Sequence, residues 1–291
     1  MHLKIYLPTS YITIPTSSDH TVSDIVKFIL TKQEVPLKYA PLCTILEVRS
    51  DNFGYALKHI DKPSTSSQLH FRILAIQLST PKLDQNFAEI LQNQINRLII
   101  TRTWITSDEI SAKLAAFRCG IDFGKIQESH KNLFLDNILQ QYFSADMISN
   151  FKVKDLVKNL IGNWQIITQG GMCDTREKAI QNYLEACQSS VRAYGCACFL
   201  GKLKKVAEEE SDVVVYIGIC QNGIIMLNGD GNELGNIKFD ELKIEYEVDD
   251  PRGIKIISNG ENGLLSYQIN MGGVGAMKSV LDFIQNAQMG E

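Results

Sequence analysis

The chain has 291 residues, 44% hydrophobic and 21% charged, with a formal net charge of −4 and no low-complexity tract or solenoid-length repeat. That balance suits about two or three globular domains, excludes extensive disorder, and gives no global attraction to nucleic acid. The seven cysteines are odd in number and scattered through apolar runs, as expected for reduced thiols in a cytosolic protein. The opening MHLKIYLP lacks an export pattern, and no apolar run approaches the roughly 18 residues of a membrane span.

Leu3 to Leu7 alternates as a strand, Pro8-Thr-Ser10 turns, and Tyr11 to Ile14 makes the second strand of a hairpin. Thr21-Val-Ser-Asp24 is a capping-box variant that opens a helix with Val22, Ile25, Val26, Ile29 and Leu30 on its apolar stripe. Strand runs follow at Cys43 to Val48, Tyr55 to Ile60 and Phe71 to Leu78, with a polar loop at Asp61 to Ser67. Thr80-Pro81 marks a boundary, because proline pushes the residue before it out of the helical region.

Helical periodicity then takes over. Phe87, Ile90, Leu91, Ile95 and Leu98 share one face, and Ser107 caps a second helix that turns Ile110, Leu114, Ala115 and Phe117 inward. Leu133 to Met147 and Val153 to Ile167 predict two more. Asp174 or Thr175 starts a further helix carrying Ala179, Ile180, Tyr183, Leu184, Ala186, Cys187 and Val191. It passes into a β-rich run from Tyr194 to Leu203, with Gly195 as the turn-permitting residue. A hairpin follows from Val213 to Cys220, through Gln-Asn-Gly223, to Ile224–Leu227. Strands are expected at 237–239, 243–248, 254–258 and 264–270, and a last helix from about Val274 to Gln288.

Tyr183-Leu184, Tyr194-Gly195, Phe199, Ile217-Gly218-Ile219 and Gly223-Ile224 resemble, in order and spacing, the junction between the second and third lobes of the FERM superfamily. Ala112 to Ala116, running on to Phe123-Gly124, is similar to the alanine-rich helix of FERM second lobes. The resemblance implies an α+β multidomain chain, a three-lobed cloverleaf: a ubiquitin-like β-grasp lobe at 1–80, an all-α lobe at 81–193, and a PH/PTB-like lobe with a C-terminal helix at 194–291.

Three catalytic or metal signals compete with blander readings. Gly272-Gly-Val-Gly-Ala-Met-Lys278-Ser279 nearly reads as a phosphate loop, but Met277 stands where glycine is needed and no downstream strand remains to supply a magnesium-binding acid. A glycine turn before a capping helix is the better reading. Cys196, Cys198 and Cys220 lie on neighbouring strands, yet no histidine is near to complete a zinc site, so no metal is expected. Asp230-Gly-Asn232-Glu233 lacks the full ligand set of a calcium loop and reads as a hairpin turn. No cofactor and no catalytic residue is predicted.

The stronger site expectation is a peptide groove between the fifth strand of the third lobe and the last helix, where a free strand edge offers its amides and carbonyls to an extended partner. Period-two alternation turns Ile244, Tyr246 and Val248 inward and Lys243, Glu245, Glu247 and Asp249 outward. On the helix, Met277, Leu281 and Ile284 centre the buried stripe, which leaves Ala276, Ser279 and Phe283 as groove-facing candidates. The acids on this strand favour a partner with basic residues over a phosphotyrosine ligand; their plainer role is to keep a sheet edge from aggregating. Lys202, Lys204 and Lys205, and Lys152, Lys154 and Lys158, are the densest basic clusters. The resemblance implies phosphoinositide binding at such patches; a solvated face is the plainer alternative.

The expected function is that of a non-catalytic adaptor, at the cytoskeleton or cell cortex, that docks cytoplasmic tails of membrane proteins or cytoskeletal proteins. Because the chain stops at Glu291, it is expected to carry no actin-binding tail, motor or kinase of its own. A structural subunit of a larger cytoskeletal or ciliary assembly is the alternative, and nucleotide binding at the glycine loop is a third.

Overall fold

The computed structural model describes residues 2–15, 19–74, 83–130, 138–207, 209–260 and 263–289. The described chain divides into two compact units, residues 1–77 together with 195–291, and residues 78–194.

The first unit begins with a hairpin of β1 (His2–Tyr6) and β2 (Tyr11–Pro15), followed by α1 (Val22–Lys32), a 3-10 turn (Leu37–Leu42), β3 (Cys43–Val48), β4 (Gly54–Ala56) and β5 (Gln68–Ile73). The strands order as β2-β1-β5-β3-β4, with β1 and β5 parallel and the other pairs antiparallel. The Thr21 side chain accepts from the Asp24 amide at 3.3 Å while the Asp24 carboxylate accepts from the Thr21 amide at 2.9 Å, a reciprocal cap on α1. Val22, Ile25, Val26, Ile29 and Leu30 are the buried stripe of α1, and Ile5, Ile45 and Phe71 are buried from the strands.

The strand predicted at Tyr55 to Ile60 stops at Ala56. Beyond it the backbone serves other partners: the Leu57 carbonyl accepts from the Thr44 hydroxyl at 2.7 Å, and the His59 and Asp61 carbonyls accept the Ser23 and Val22 amides that open α1. A segment committed to capping a helix has no carbonyls left for a ladder. Of the run predicted at Phe71 to Leu78, β5 is strand to Ile73, and 75–78 lie outside the described residues, as does Thr80-Pro81.

The second unit is helical: α2 (Gln85–Ile100), α3 (Asp108–Phe123), a 3-10 turn (Ile138–Gln141), α4 (Ala145–Asn150), α5 (Val153–Gln169) and α6 (Arg176–Ser190). Asp84, Ser107, Ser144 and Thr175 cap α2, α3, α4 and α6 through side-chain oxygens. In place of the helix predicted from Leu133 to Met147, a 3-10 turn and a separate short helix occupy 138–150, while 133–137 lie outside the described residues. Ser144 is the cause: buried, it accepts from the Met147 amide and starts a new helix where the apolar run had suggested continuity. Helix α3 packs on α5 and α6, and Phe87, Trp104, Phe143, Trp164 and Tyr183 are fully buried in this unit. Among the described residues, no helix is long and apolar enough to cross a membrane.

The first unit resumes with β6 (Ala197–Val206), β7 (Glu209–Cys220), β8 (Gly223–Asn228), β9 (Glu233–Lys238), β10 (Leu242–Tyr246), β11 (Gly253–Gly260) and β12 (Gly263–Met271), closed by α7 (Val274–Met289). These seven strands form one antiparallel sheet in the order β10-β11-β12-β6-β7-β8-β9. Tyr194 and Gly195, expected in the strand, form the turn before it, with Gly195 at φ +78°. Val215, Ile217, Ile219, Ile224, Met226, Ile254, Ile256 and Ile269 pack against Met277, Val280, Leu281 and Ile284 of α7. Each fully buried aliphatic side chain contributes about 1.5–3 kcal/mol, so this helix is held mainly by its apolar stripe.

Candidate functional site

Strand β10 is the terminal strand of the seven-stranded sheet and, among the described residues, pairs with β11 alone. The register runs from Leu242 opposite Ser258 to Tyr246 opposite Ile254. At its two ends the Asn259 amide donates to the Glu241 carbonyl and the Glu247 amide to the Gly253 carbonyl, both at 3.0 Å. Antiparallel ladders alternate, so odd-numbered residues of β10 bond β11, and Ile244 and Tyr246 direct their amides and carbonyls toward the free side. That is the backbone display an added strand requires.

Side chains follow the pleat only as far as the sheet lasts. Leu242 and Ile244 pack on the core, but Tyr246 is 40% exposed and Val248 97% exposed. Val248 lies past the end of β10, where the chain turns at Asp249-Asp250-Pro251, so the inward direction predicted for it has no core to meet. On the opposite face the Lys243 ammonium lies 2.6 Å from the Glu245 carboxylate and holds that carboxyl below its usual range. Glu247 lies against Gly253. Residues 240–250 remain acidic: Asp240, Glu241, Glu245, Glu247, Asp249 and Asp250 stand against Lys243 alone.

The helix side of the site differs from expectation. Ala276 is 0% and Phe283 6% exposed. The Ser279 hydroxyl donates to the Ala276 carbonyl at 2.7 Å and accepts from the Ala56 amide at 2.9 Å. The Phe283 ring meets His59 edge-on with centroids 5.5 Å apart. Ser279 and Phe283 therefore hold α7 against the β4 segment, and Ala276 is buried. Phe283 does wall a hollow of about 300 Å³, shared with Lys58, His59, Ile60, Asn286 and Ala287, on that sealed side. Elsewhere on the helix Lys278 pairs with Asp282 at 3.3 Å; burial pushes the Tyr246 hydroxyl up, with smaller and opposing effects from these two charges.

A family model for the FERM central domain matches residues 79–199. The fold is that of a FERM module. A solved complex of the FERM and C-terminal domains of Drosophila Merlin superposes with a TM-score of 0.71 at 10% identity, covering 99% of this chain and 95% of that one. The human Myosin 7b C-terminal MyTH4-FERM domain, solved with the harmonin-a PDZ3 domain, gives 0.74 at 15% identity, covering 100% of this chain and 60% of that one. The Dictyostelium discoideum Myosin VII MyTH4-FERM MF1 domain gives 0.72 at 12%, covering 99% and 59%. This chain thus spans about three-fifths of those myosin chains. No curated protein matches it by sequence.

In this FERM fold the basic clusters fall in different units. Lys202 and Lys204 on β6 share one carboxylate, Asp212 of β7, at 2.6 and 3.5 Å, and Lys205 stands opposite Glu210. The Lys202 ammonium in turn holds the Asp212 carboxyl below its usual range. Lys152 occupies the N-cap position of α5 without a side-chain cap, and Lys154 and Lys158 are exposed on its first turns. Lys158 borders a shallow hollow along α5 with Asp155, Asn159, Gly162, Asn163 and Ile166.

The glycine loop before α7 is a packing device. A Cβ at Gly272 or Gly273 would come within 2.8 or 2.5 Å of the Phe53 ring, and Gly273 adopts φ +70°. A loop pressed on an aromatic ring does not cradle a phosphate. The Asp230 region is a turn in which Asn228 Oδ1 accepts from the Asp230 and Asn232 amides at 3.0 and 2.9 Å. Among the described residues, no group of His, Cys, Asp or Glu is arranged to hold a metal ion.

Proposed function

We propose that this chain is a non-catalytic FERM adaptor, with lobes at 1–80, 81–193 and 194–291, whose ligand is an extended protein segment added as a strand to the free edge of β10. The observation that carries this reading is the outward backbone display at Ile244 and Tyr246 on the terminal strand of the sheet. The acidic surround selects basic residues in the bound segment, with Glu245 and Glu247 as the nearest carboxylates and Lys243 tempering them. Cytoplasmic tails of membrane proteins and cytoskeletal proteins are the partner classes, in keeping with the protein complexes in which the Merlin and Myosin 7b FERM folds were solved.

Fluorescence anisotropy against a panel of extended peptides, from Lys/Arg-rich to Asp/Glu-rich, tests it. Basic peptides should bind, and Tyr246→Pro should weaken them about tenfold, because proline removes an outward donor while leaving the ladder to β11 intact. If no peptide in the panel binds, or if affinity survives Tyr246→Pro, β10 is not the docking edge.

A further inference from the structure

The five-stranded and seven-stranded sheets end in edges of unlike charge. Strand β2 closes one end of the five-stranded sheet, and among the described residues it pairs with β1 alone. At the hairpin turn the Leu7 amide donates to the Ser10 carbonyl at 2.9 Å, which makes Ile5–Ile12 and Leu3–Ile14 the hydrogen-bonded pairs of the ladder. Tyr6 opposite Tyr11 and Lys4 opposite Thr13 are therefore the alternate pairs, whose amides and carbonyls point away from the partner strand. On β2 the backbone of Tyr11 and Thr13 accordingly faces the free side. Pro15 comes next in that series and has no amide to offer, so the display ends before it.

Side chains sort the two faces of this edge. Leu3, Ile5 and Ile14 are buried, while Tyr11 is 60% exposed on the other face. There the Tyr6 ring lies 6.5 Å from that of Tyr11 and stacks on His70 of β5 at 5.2 Å, so three rings run from the free edge into the sheet. Lys4 sits over them, its ammonium 4.9 Å from the Tyr6 centroid and 4.2 Å from that of Tyr11. The rings thus carry a charge that begins on β1 across to β2, and cation–π attraction holds it there. Among the described residues this ammonium meets rings and no carboxylate. Register puts His2, Thr13, Gln68 and Arg72 on the same face, and no position of that face on β1, β2 or β5 is an acid. Around β10, by contrast, acids stand against Lys243 alone.

We propose that β2 is a second docking edge, whose ligand is an extended acidic protein segment added to the sheet as a strand, with a carboxylate on Lys4. An added strand lies about 4.8 Å beyond β2, and every second side chain of it stands on the ring face beside Tyr11 and Thr13. The Lys4 ammonium already lies over β2, so a carboxylate at such a position closes an ion pair without drawing the lysine from its rings. Holding the lysine in advance lowers the entropy lost on binding. Charge alone would suit any polyanion. The backbone display decides between them: Tyr11 and Thr13 each offer a carbonyl as well as an amide, and phosphates, which only accept, leave those carbonyls without donors. A peptide strand supplies both. This edge belongs to a different sheet from β10 and selects the opposite charge, so each edge takes its own class of peptide.

The test is fluorescence anisotropy of the full chain at low salt with a short labelled peptide that alternates glutamate and threonine. Saturable binding is expected. Thr13→Pro should weaken it about tenfold, because the lost amide points outward and the ladder to β1 keeps its bonds. Lys4→Gln should weaken it several-fold, with the difference shrinking as salt rises, and Tyr246→Pro should leave it unchanged. On the unmodified protein, hydrogen exchange with the peptide at saturation should slow at the Tyr11 and Thr13 amides and not at Ile12 and Ile14; this measurement needs no variant to fold. No saturable binding, affinity that survives Thr13→Pro or Lys4→Gln, or protection at Ile244 and Tyr246 instead of Tyr11 and Thr13 would overturn the proposal. So would a single-stranded oligonucleotide that binds more tightly than the peptide and leaves the Tyr11 and Thr13 amides exchanging as before.

Discussion

The two flanks of α7 carry unlike side chains and have opposite fates. One flank, with Ser279 and Phe283, is closed against the β4 segment by an amide-to-hydroxyl bond and an edge-on ring contact. The other, Lys278 and Asp282, is an ion pair with small, opposing effects on the Tyr246 hydroxyl, at the end of a strand with one side unpaired. Both flanks belong to the same amphipathic helix. What separates them is whether a second sheet has claimed them, and the lesson is that a helix beside a free strand edge offers a groove only on the flank its own unit leaves uncovered.

Substitutions on the closed flank should act on stability and those on the open flank on binding. Phe283→Ala empties a nearly buried aromatic site and should cost about 3–5 kcal/mol, read as a lower denaturation midpoint. Ser279→Ala leaves the Ala56 amide without its acceptor and should cost about 1–3 kcal/mol by the same measurement. A variant of either residue that lowers peptide affinity while leaving the midpoint unchanged would erase the distinction between the flanks.

On the open side the effects are smaller and fall on affinity. Tyr246→Pro should weaken a bound peptide about tenfold, or about 1.4 kcal/mol, with little change in stability. Glu245→Lys with Glu247→Lys should reduce affinity for basic peptides a few-fold, chiefly by slowing association, and the loss should shrink as salt rises. Smallest of all, Asp212→Asn releases Lys202 and Lys204 from their shared carboxylate and should raise flotation with phosphoinositide vesicles at low salt. No change in flotation would mean that these lysines are a solvated face.

Much of this was legible in the sequence where the cause is local. Thr21 and Asp24 announce the start of α1 because a capping box needs residues three apart, and the seven strands ahead of α7 follow from alternation and turn residues. The covered flank of α7 was not legible, because its partners, Ala56 and His59, lie more than two hundred residues away in the chain. A signal existed nonetheless. Adjacent glycines at 272 and 273 mark a close approach, and the approaching group is the Phe53 ring at the head of β4. The over-long strand at Tyr55 to Ile60 failed for the same kind of reason: its carbonyls serve Thr44 and the start of α1, commitments that no period-two pattern reveals.

Backbone hydrogen exchange on the full chain, alone and saturated with a basic extended peptide, tests the docking edge most directly. An added strand on β10 should slow exchange at the Ile244 and Tyr246 amides, which face the free side, and leave the already paired amides of Lys243 and Glu245 little changed. Protection confined to the hollow beside Phe283, or to α5, with Ile244 and Tyr246 exchanging as before, would contradict it.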